Sequence, residues 1–397
     1  MAFQETSNRS GVFINQLAGD LRYKAFIPNP LPPDPQIKMD LESWQLLSDA
    51  DRALGRLDGV TETLPNPELF VSMYVRKEAV LSSQIEGTQT SLVDLLEFET
   101  EQARKGLPQD LDEVVNYVRA MNYGLKRLND LPISLRLLKE IHGELLKGVR
   151  GGERSLGEFR TTQNWIGPQG STLTNAIFVP PPPHEMMQAM SQIELYIHDN
   201  APMPLLVKVG MVHAQFETVH PFLDGNGRIG RLLITLMLCD RAILTKPLLY
   251  LSYYFKQNRM EYYDRLMAVR IKGDWEGWLK FFLKGVHEVS TQATDVARKI
   301  IALRDEHREL VQKKVSSGTN GLTLLDRLYD NPVISVKTAR EILRISNVAA
   351  NRLITRFVQE GLLYQISKGS RNRVFAYLPY LDLFLDAENR SELLLQQ

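Results

Sequence analysis

The stretch His220-Pro221-Phe222-Leu223-Asp224-Gly225-Asn226-Gly227-Arg228-Ile229-Gly230-Arg231 constrains this chain more than any other. It separates two apolar runs of helical character, residues 204–219 and 227–241, so the backbone must leave one helix and enter the next within a few residues. Gly225 and Gly227 permit φ > 0 and a close approach to a ligand. Backbone N–H groups that open the second helix make an anion nest. Arg228 and Arg231 stand three residues apart and share a face of its first turns. Two arginines there oppose the helix dipole and repel each other, and a polyphosphate offsets both costs. The spacing is not that of a Walker A loop, GxxxxGK(S/T).

Asp224 beside such a nest is unfavourable unless a cation lies between. Mg2+ held by one carboxylate and phosphate oxygens is the usual arrangement. His220 is the group here that titrates near neutrality, and it can take a proton from an incoming hydroxyl. No serine or cysteine stands in the stretch as a nucleophile, so the hydroxyl comes from the substrate. Phe222 is expected to pack inward and fix the loop.

A second conspicuous segment is Ser82-Ser83-Gln84-Ile85-Glu86-Gly87, the end of a helix predicted from about residue 68, with Pro67 suiting its first turn. Gly87 is a helix C-cap signal. A carboxylate in the last turn meets the negative end of the dipole, which costs a few tenths of a kcal/mol. Glu86 is either a solvated surface residue or one that something basic compensates.

Residues 1–40 are polar, then rich in proline, and read as an extended arm. Helices are expected over 41–57, 110–129 and 134–146, the last capped by Ser134. A Gly/Arg-rich loop, 148–157, leads to Gly157-Glu158-Phe159-Arg160 and Asn164-Trp165-Ile166-Gly167. Residues 160–180 form a small hairpin or flap, with Ile177, Phe178 and Val179 as a strand edge open to an extended peptide, the only strand expected before the C-terminal part. Further helices are expected over 184–199, 261–271 and 274–287, then a charged helical strut over 289–315 and a linker, 316–321. Beyond it, three helices (322–329, 335–343, 346–360) precede two β-prone runs around residues 369–372, the order of a winged helix. Residues 321–380 hold nine Lys/Arg against four Asp/Glu. Asn351, Arg352 and Arg356 on the third helix and Arg371 and Arg373 on the wing would then face DNA, although a protein-interaction module reads equally well.

The whole chain, at 397 residues, suits two or three domains. Its 47 Lys+Arg balance 47 Asp+Glu, so no global field draws it to nucleic acid or to an anionic membrane. The single cysteine, Cys239, excludes an intrachain disulfide and reads as a buried small hydrophobe. No apolar leader core and no run approaching the ~18 apolar residues of a membrane span is seen. The expected location is cytoplasmic, with no membrane partner.

His220 to Arg231 resembles the full HPFx(D/E)GNGRxxR signature of Fic-domain enzymes, without departure. The loops around Arg160, Asn164 and Phe178, and the Gly273-Asp274-Trp275 region, are similar too, so the resemblance covers about residues 10–310. It implies a mostly α fold: a Fic helical core with a small β-hairpin flap, followed by a winged-helix domain found in many bacterial members. The implied division is an N-terminal arm and inhibitory-helix region (1–110), a catalytic core (111–288), a strut and linker (289–320) and a winged-helix-like domain (321–397). It implies transfer of AMP from ATP, with Mg2+, to a Tyr, Thr or Ser hydroxyl of a protein, the chain itself included, with release of pyrophosphate. His220 is then the general base and Asp224 the Mg2+ ligand. Asn226, with the Gly225 and Gly227 amides, holds the α-phosphate, and Arg228 and Arg231 clamp the β- and γ-phosphates. Val219, Leu223 and Asn258 complete the nucleotide site, Asn258 against adenine, while Tyr253, Tyr254 and Phe255 read as core. Phosphorylating relatives carry Lys where this chain has Gly227, which favours nucleotidyl transfer. Ser82, Glu86 and Gly87 resemble the family's inhibitory motif (S/T)xxxE(G/N), in which the glutamate pairs with the second arginine, here Arg231, and competes with ATP. DNA and a second copy of the chain are further candidate partners. The alternatives are a nucleotide-sensing DNA-binding regulator and an enzyme that removes AMP.

Overall fold

A computed structural model of the chain describes residues 9–384 apart from 18, 20–21, 63, 65–66, 100–109, 150–154, 169, 316–317 and 368–372. A short hairpin comes first, β1 (Gly11–Gln16) and β2 (Tyr23–Pro28), then helices α1 (Leu41–Glu62), α2 (Pro67–Ile85), α3 (Leu92–Glu99), α4 (Leu111–Arg127), α5 (Leu135–Leu145), α6 (Pro183–His198), α7 (Leu205–Val219), α8 (Asn226–Asp240), α9 (Ser252–Gln257), α10 (Arg259–Lys272) and α11 (Trp275–Leu310). A π-helical turn (Val311–Val315) is followed by α12 (Thr319–Asp330), β3 (Val333–Ser335), α13 (Val336–Leu343), α14 (Asn347–Gln359), β4 (Tyr364–Gln365), β5 (Val374–Ala376) and α15 (Leu378–Leu381). The chain is mostly helical with small antiparallel sheets, as expected. It divides into two compact units, one of Met1–Asp58, Leu81–Thr88 and Asp112–Thr291, the other of Gly59–Val80, Gln89–Leu111 and Gln292–Gln397.

In the first unit α7 is buried on every side from Leu206 to Val219, and α8 nearly so. Helices apolar all round belong at a core's centre. Small residues set how closely the neighbours approach. A Cβ on Gly210 would stand 2.9 Å from Leu279 of α11, and the Gly210 carbonyl accepts from Trp278 Nε1 at 2.8 Å. Ser134 caps α5 as expected, its side chain accepting from Leu137 N at 3.3 Å.

Three expectations need correction. The proline-rich arm contains a ladder, Gly11 opposite Pro28 through Gln16 opposite Tyr23, so the flap is not the only strand-forming piece before the C-terminal part. The polar residues Asn15, Gln16 and Lys24 hide it in the sequence, and Phe26 anchors it, 5.1 Å from Phe13 and 5.7 Å from Phe178 between ring centroids. Among its described residues the flap makes a single bridge, Ile166 opposite Phe178, and no strand. The two helices expected over 274–287 and 289–315 are one, α11, because Val286, Val289, Ala293, Ala297 and Ile300 keep helical spacing with no breaker between.

In the second unit α12, α13 and α14 precede β4 and β5 in the expected order, and β3, unforeseen, pairs with β5 in a sheet of order β3-β5-β4. Ser335 and Ser346 cap α13 and α14. Asn351 and Arg352 are exposed on α14. Arg356 turns back instead, its Nη1 donating to the Val315 carbonyl at 2.6 Å, so it does not join an outward-facing row. Arg371 and the turn around it, and Ser316 and Ser317 of the linker, lie outside the described residues. Among the described residues no helix is long and apolar enough to cross a membrane. Cys239 is half-buried, and burial pushes its thiol up to about 12.

Candidate active site

The loop between α7 and α8 turns on two left-handed residues, His220 (φ 50, ψ 60) and Gly225 (φ 76). A non-glycine residue there costs on the order of 1 kcal/mol and persists only when its surroundings over-determine it. They do. His220 N donates to Phe216 O at 2.9 Å, and the His220 carbonyl accepts from Arg160 Nε at 3.0 Å and Asn164 Nδ2 at 3.1 Å. Arg160 N donates to Pro221 O at 2.9 Å. The Asn226 side chain closes the turn from within, accepting from Phe222 N and donating to Phe222 O, both at 2.8 Å. Both ends of that amide are engaged, so Asn226 shapes the loop with its side chain and leaves the nest to backbone N–H groups.

Arg160 is a buried guanidinium bonded to carbonyls, those of His220, Thr162 (3.2 Å), Val219 (3.4 Å) and Pro181. Burial pushes its pKa down to about 10, against a small opposing effect of Tyr23, so it remains charged near neutrality. On another side His142 of α5 stacks under Phe222, and Phe159 tilts against the same ring.

The His220 imidazole is held neutral. Burial first, then Arg270 and Arg160, push its pKa down to about 3, with Glu86 opposing. Its Nδ1 is enclosed and has no hydrogen-bond partner. A neutral imidazole is the protonation state that a general base requires.

Arg231 is almost wholly enclosed. Its Nε donates to Ser82 Oγ at 2.8 Å, and its Nη2 donates to Ser82 O at 2.9 Å and to Glu86 Oε1 at 2.7 Å. Ser82 and Glu86, expected from the sequence to act together, do meet Arg231. Gly87 follows with φ 105, its N donating to Gln84 O at 3.1 Å. The Glu86 side chain is 36% exposed. Burial raises its pKa, but Arg231 and Arg228 outweigh that, and the net direction is down, so the carboxylate is charged. It lies against Gly227 in the first turn of α8, where a Cβ would collide with it. Glu86 thus sits at the helix N-terminus, where an anion is favoured.

Arg228 is bound differently: Nη1 donates to Glu113 Oε2 of α4 at 2.9 Å, and Nη2 lies 3.6 Å from Asp224. Asp224 accepts from Gly225 N at 2.6 Å and is 35% exposed at the side chain. Among the described residues no cluster of three or more His, Cys, Asp or Glu forms a metal cage. A single, partly exposed carboxylate beside an anion nest fits Mg2+ whose other ligands are phosphate oxygens and water.

Other expected residues are placed less centrally. Val219 is buried and Leu223 half-buried in the loop. Asn258 bonds within its own turn, Nδ2 to Tyr254 O at 3.0 Å. Ile177 is exposed, whereas Phe178 and Val179 are buried. The Arg270 guanidinium lies 4.4 Å from the Phe178 ring, and Phe26 N donates to the Val179 carbonyl at 2.9 Å. Part of the flap edge is therefore taken by β2. Sequence reasoning missed His142, Glu113 and Glu217. Each contacts its partner across the fold or looks like an ordinary helix residue, and Glu113 in the first turn of α4 reads as a dipole complement. Glu217 is buried beside Gly230, and burial pushes its carboxyl up to about 7 against Arg231 and Arg270.

Residues 44–126 match the Fic/DOC family N-terminal model, and residues 132–238 match the Fic/DOC family model. The chain is 28% identical over 185 residues to a probable protein adenylyltransferase of Aquifex aeolicus, covering 45% of this chain and 52% of that one. It is 32% identical over 209 residues to the protein adenylyltransferase Fic of Culex quinquefasciatus, covering 50% and 37%. The chain thus spans about half or less of the curated relatives' length. In fold it is similar to a Fic family protein from Desulfovibrio desulfuricans, with a TM-score of 0.55 at 18% identity over 86% of this chain and 97% of that one. Through residues 44–126 and 132–238, which carry the Glu86 helix and most of α8, this chain belongs to the Fic/DOC family.

Proposed function

We propose that the chain is a protein adenylyltransferase that moves AMP from ATP to a Tyr, Thr or Ser hydroxyl of a protein, itself included, and that Glu86 holds it inactive. The activity in the relatives' names supports the first part. The observation that carries the reading is the Glu86 carboxylate, bonded to Arg231 at 2.7 Å and seated on the first turn of α8. An anion is already where a phosphate would bind.

In the active state the triphosphate displaces Glu86. Backbone N–H groups of the α8 N-terminus meet the α-phosphate, and Arg231, freed from Glu86, pairs with the terminal phosphates alongside Arg228. Asp224 would hold Mg2+, which neutralises phosphate charge. Neutral His220 takes the proton of the substrate hydroxyl as its oxygen bonds to the α-phosphorus. The bond to the β-phosphate oxygen breaks, and pyrophosphate leaves. Asn226 and Arg160 keep the loop in register. Incubation with ATP labelled at the α-phosphorus tests this: Glu86→Gly should incorporate more label than wild type, and His220→Ala should abolish incorporation in either background. Equal labelling of wild type and Glu86→Gly sinks the inhibitory role.

A second reading concerns DNA. Lys337, Arg340, Arg344 and Arg352 are exposed on α13, its C-cap and α14, and Arg373 donates to Asn351 at 2.6 Å. This face would contact phosphates, and binding should weaken steeply with salt. No gel shift by the full chain at low salt removes this reading. With one half-buried cysteine, the reducing cytoplasm is the proposed location.

A further inference from the structure

His142 grips the loop at three points. Its ring lies parallel to Phe222, centroids 3.9 Å apart and planes 5° from parallel. Gly157 N donates to Nδ1 at 3.1 Å. Nδ1 is therefore the acceptor, the proton is on Nε2, and Nε2 donates to the Asp224 carbonyl at 3.2 Å. The ring also packs against Gly225, where a Cβ would stand 3.6 Å from it. Arg160 and Asn164 fasten residues 220–222, the half of the loop that carries the base. The bond to the Asp224 backbone comes from His142.

We propose that His142 is a positioning residue that sets where the Asp224 carboxylate stands relative to the N-terminus of α8, and so how well the site takes a nucleotide together with its divalent cation. The proposal rests on the adenylyl-transfer reading above. Asp224 is one residue ahead of the left-handed Gly225, so a small rotation of its backbone swings the carboxylate away from the nest. The carboxylate itself meets the Gly225 amide at 2.6 Å and Arg228 Nη2 at 3.6 Å. The Nε2 hydrogen bond holds the carbonyl of the same residue and so its backbone orientation, and the Gly157 amide fixes the tautomer that can make that bond.

The test uses the full chain with Glu86→Gly, so that the carboxylate does not compete. ATP binding is followed by calorimetry across Mg2+ concentrations and in EDTA, and label transfer is followed in parallel. His142→Phe keeps the stack and loses both hydrogen bonds. His142→Gln can accept from Gly157 and donate to Asp224, but does not stack. The expected result for His142→Phe is a rise of ~10-fold or more in the Mg2+ needed for half-maximal ATP binding, the size typical of lost outer-shell partners. ATP binding in EDTA should not change, and His142→Gln should recover most of the loss. Unchanged Mg2+ dependence in His142→Phe overturns the proposal, as does a Gln variant no better than Phe, which would make the ring a packing element. If the parent binds ATP but transfers no label, the adenylyl-transfer reading fails while the binding arm still decides the role of His142. If the parent binds no ATP, both fall.

Discussion

Glu113 Oε2 and Arg228 Nη1 pair at 2.9 Å, with 11% and 4% of their side chains exposed. The two residues lie far apart in the chain, on the first turns of α4 and α8. Removing one partner of a buried pair leaves the other uncompensated, and the usual loss is about 3–5 kcal/mol. Asp224, 3.6 Å from Arg228, softens this. Glu113→Ala should therefore lower stability by about 3 kcal/mol in urea denaturation, with Glu113→Gln intermediate. A loss below about 1 kcal/mol for Glu113→Ala would show that the pair contributes little net stability.

Under the proposed inhibition, Glu86 competes with phosphate only while charged. Its carboxyl is held below its ordinary value, burial being outweighed by Arg231. For a depressed acid the interaction is fully present above the unfolded-state value, near 4.5, and is lost as pH falls through the lower folded value. Between about pH 6 and 8 the gap in ATP affinity between wild type and Glu86→Gln should stay constant, with the variant binding on the order of tenfold tighter. A gap that closes within that range would show that the contact is not ionic.

Glu217 has the opposite sign. Burial raises it to about 7 from an ordinary 4.5. The favourable neutral form is fully present below about 4.5, and its contribution is lost as pH rises through about 7. The loss from pH 5 to 8 should be roughly 2–3 kcal/mol, at 1.36 kcal/mol per unit of pKa. Glu217→Gln should remove this slope and be the more stable protein at pH 8. Parallel stability profiles for the two proteins would overturn the assignment.

Arg160 ties four carbonyls of three segments to one planar fork. Lysine cannot reproduce that geometry. Arg160→Lys should keep the helical signal in circular dichroism yet lose about tenfold or more of label transfer in the Glu86→Gly background, the scale of misplacing a reacting group. Full transfer would show that Asn164 and Asn226 hold the loop without it.

How much of this was legible beforehand follows from the range of each interaction. The turn from α7 to α8, its left-handed Gly225, the shared face of Arg228 and Arg231 and the buried character of both helices are consequences of local spacing. The hairpin β1–β2 was not legible. Its outward positions mix the exposed Val12 with polar Asn15 and Lys24, so no clean alternation marks it, and Phe26 packs on Phe178 across the fold. Nor was the continuity of α11, where a change of composition from aromatic to charged looked like a boundary though no residue breaks the helix.

The sequence by itself determined the chemistry present: one imidazole, one carboxylate, an anion nest and two arginines in fixed order, with Glu86 out of place at a helix end. Helical periodicity and glycine stereochemistry act within a few residues, so those features follow from the chain alone. Tertiary structure decided which charges meet and in what state. It gave Arg228 to Glu113 and Arg231 to Ser82 and Glu86, turned Asn226 inward, set His142 under Asp224 and kept His220 neutral. Those outcomes depend on burial and on partners 80 or more residues away for most of them, because desolvation and ion pairing are fixed only once the core has closed.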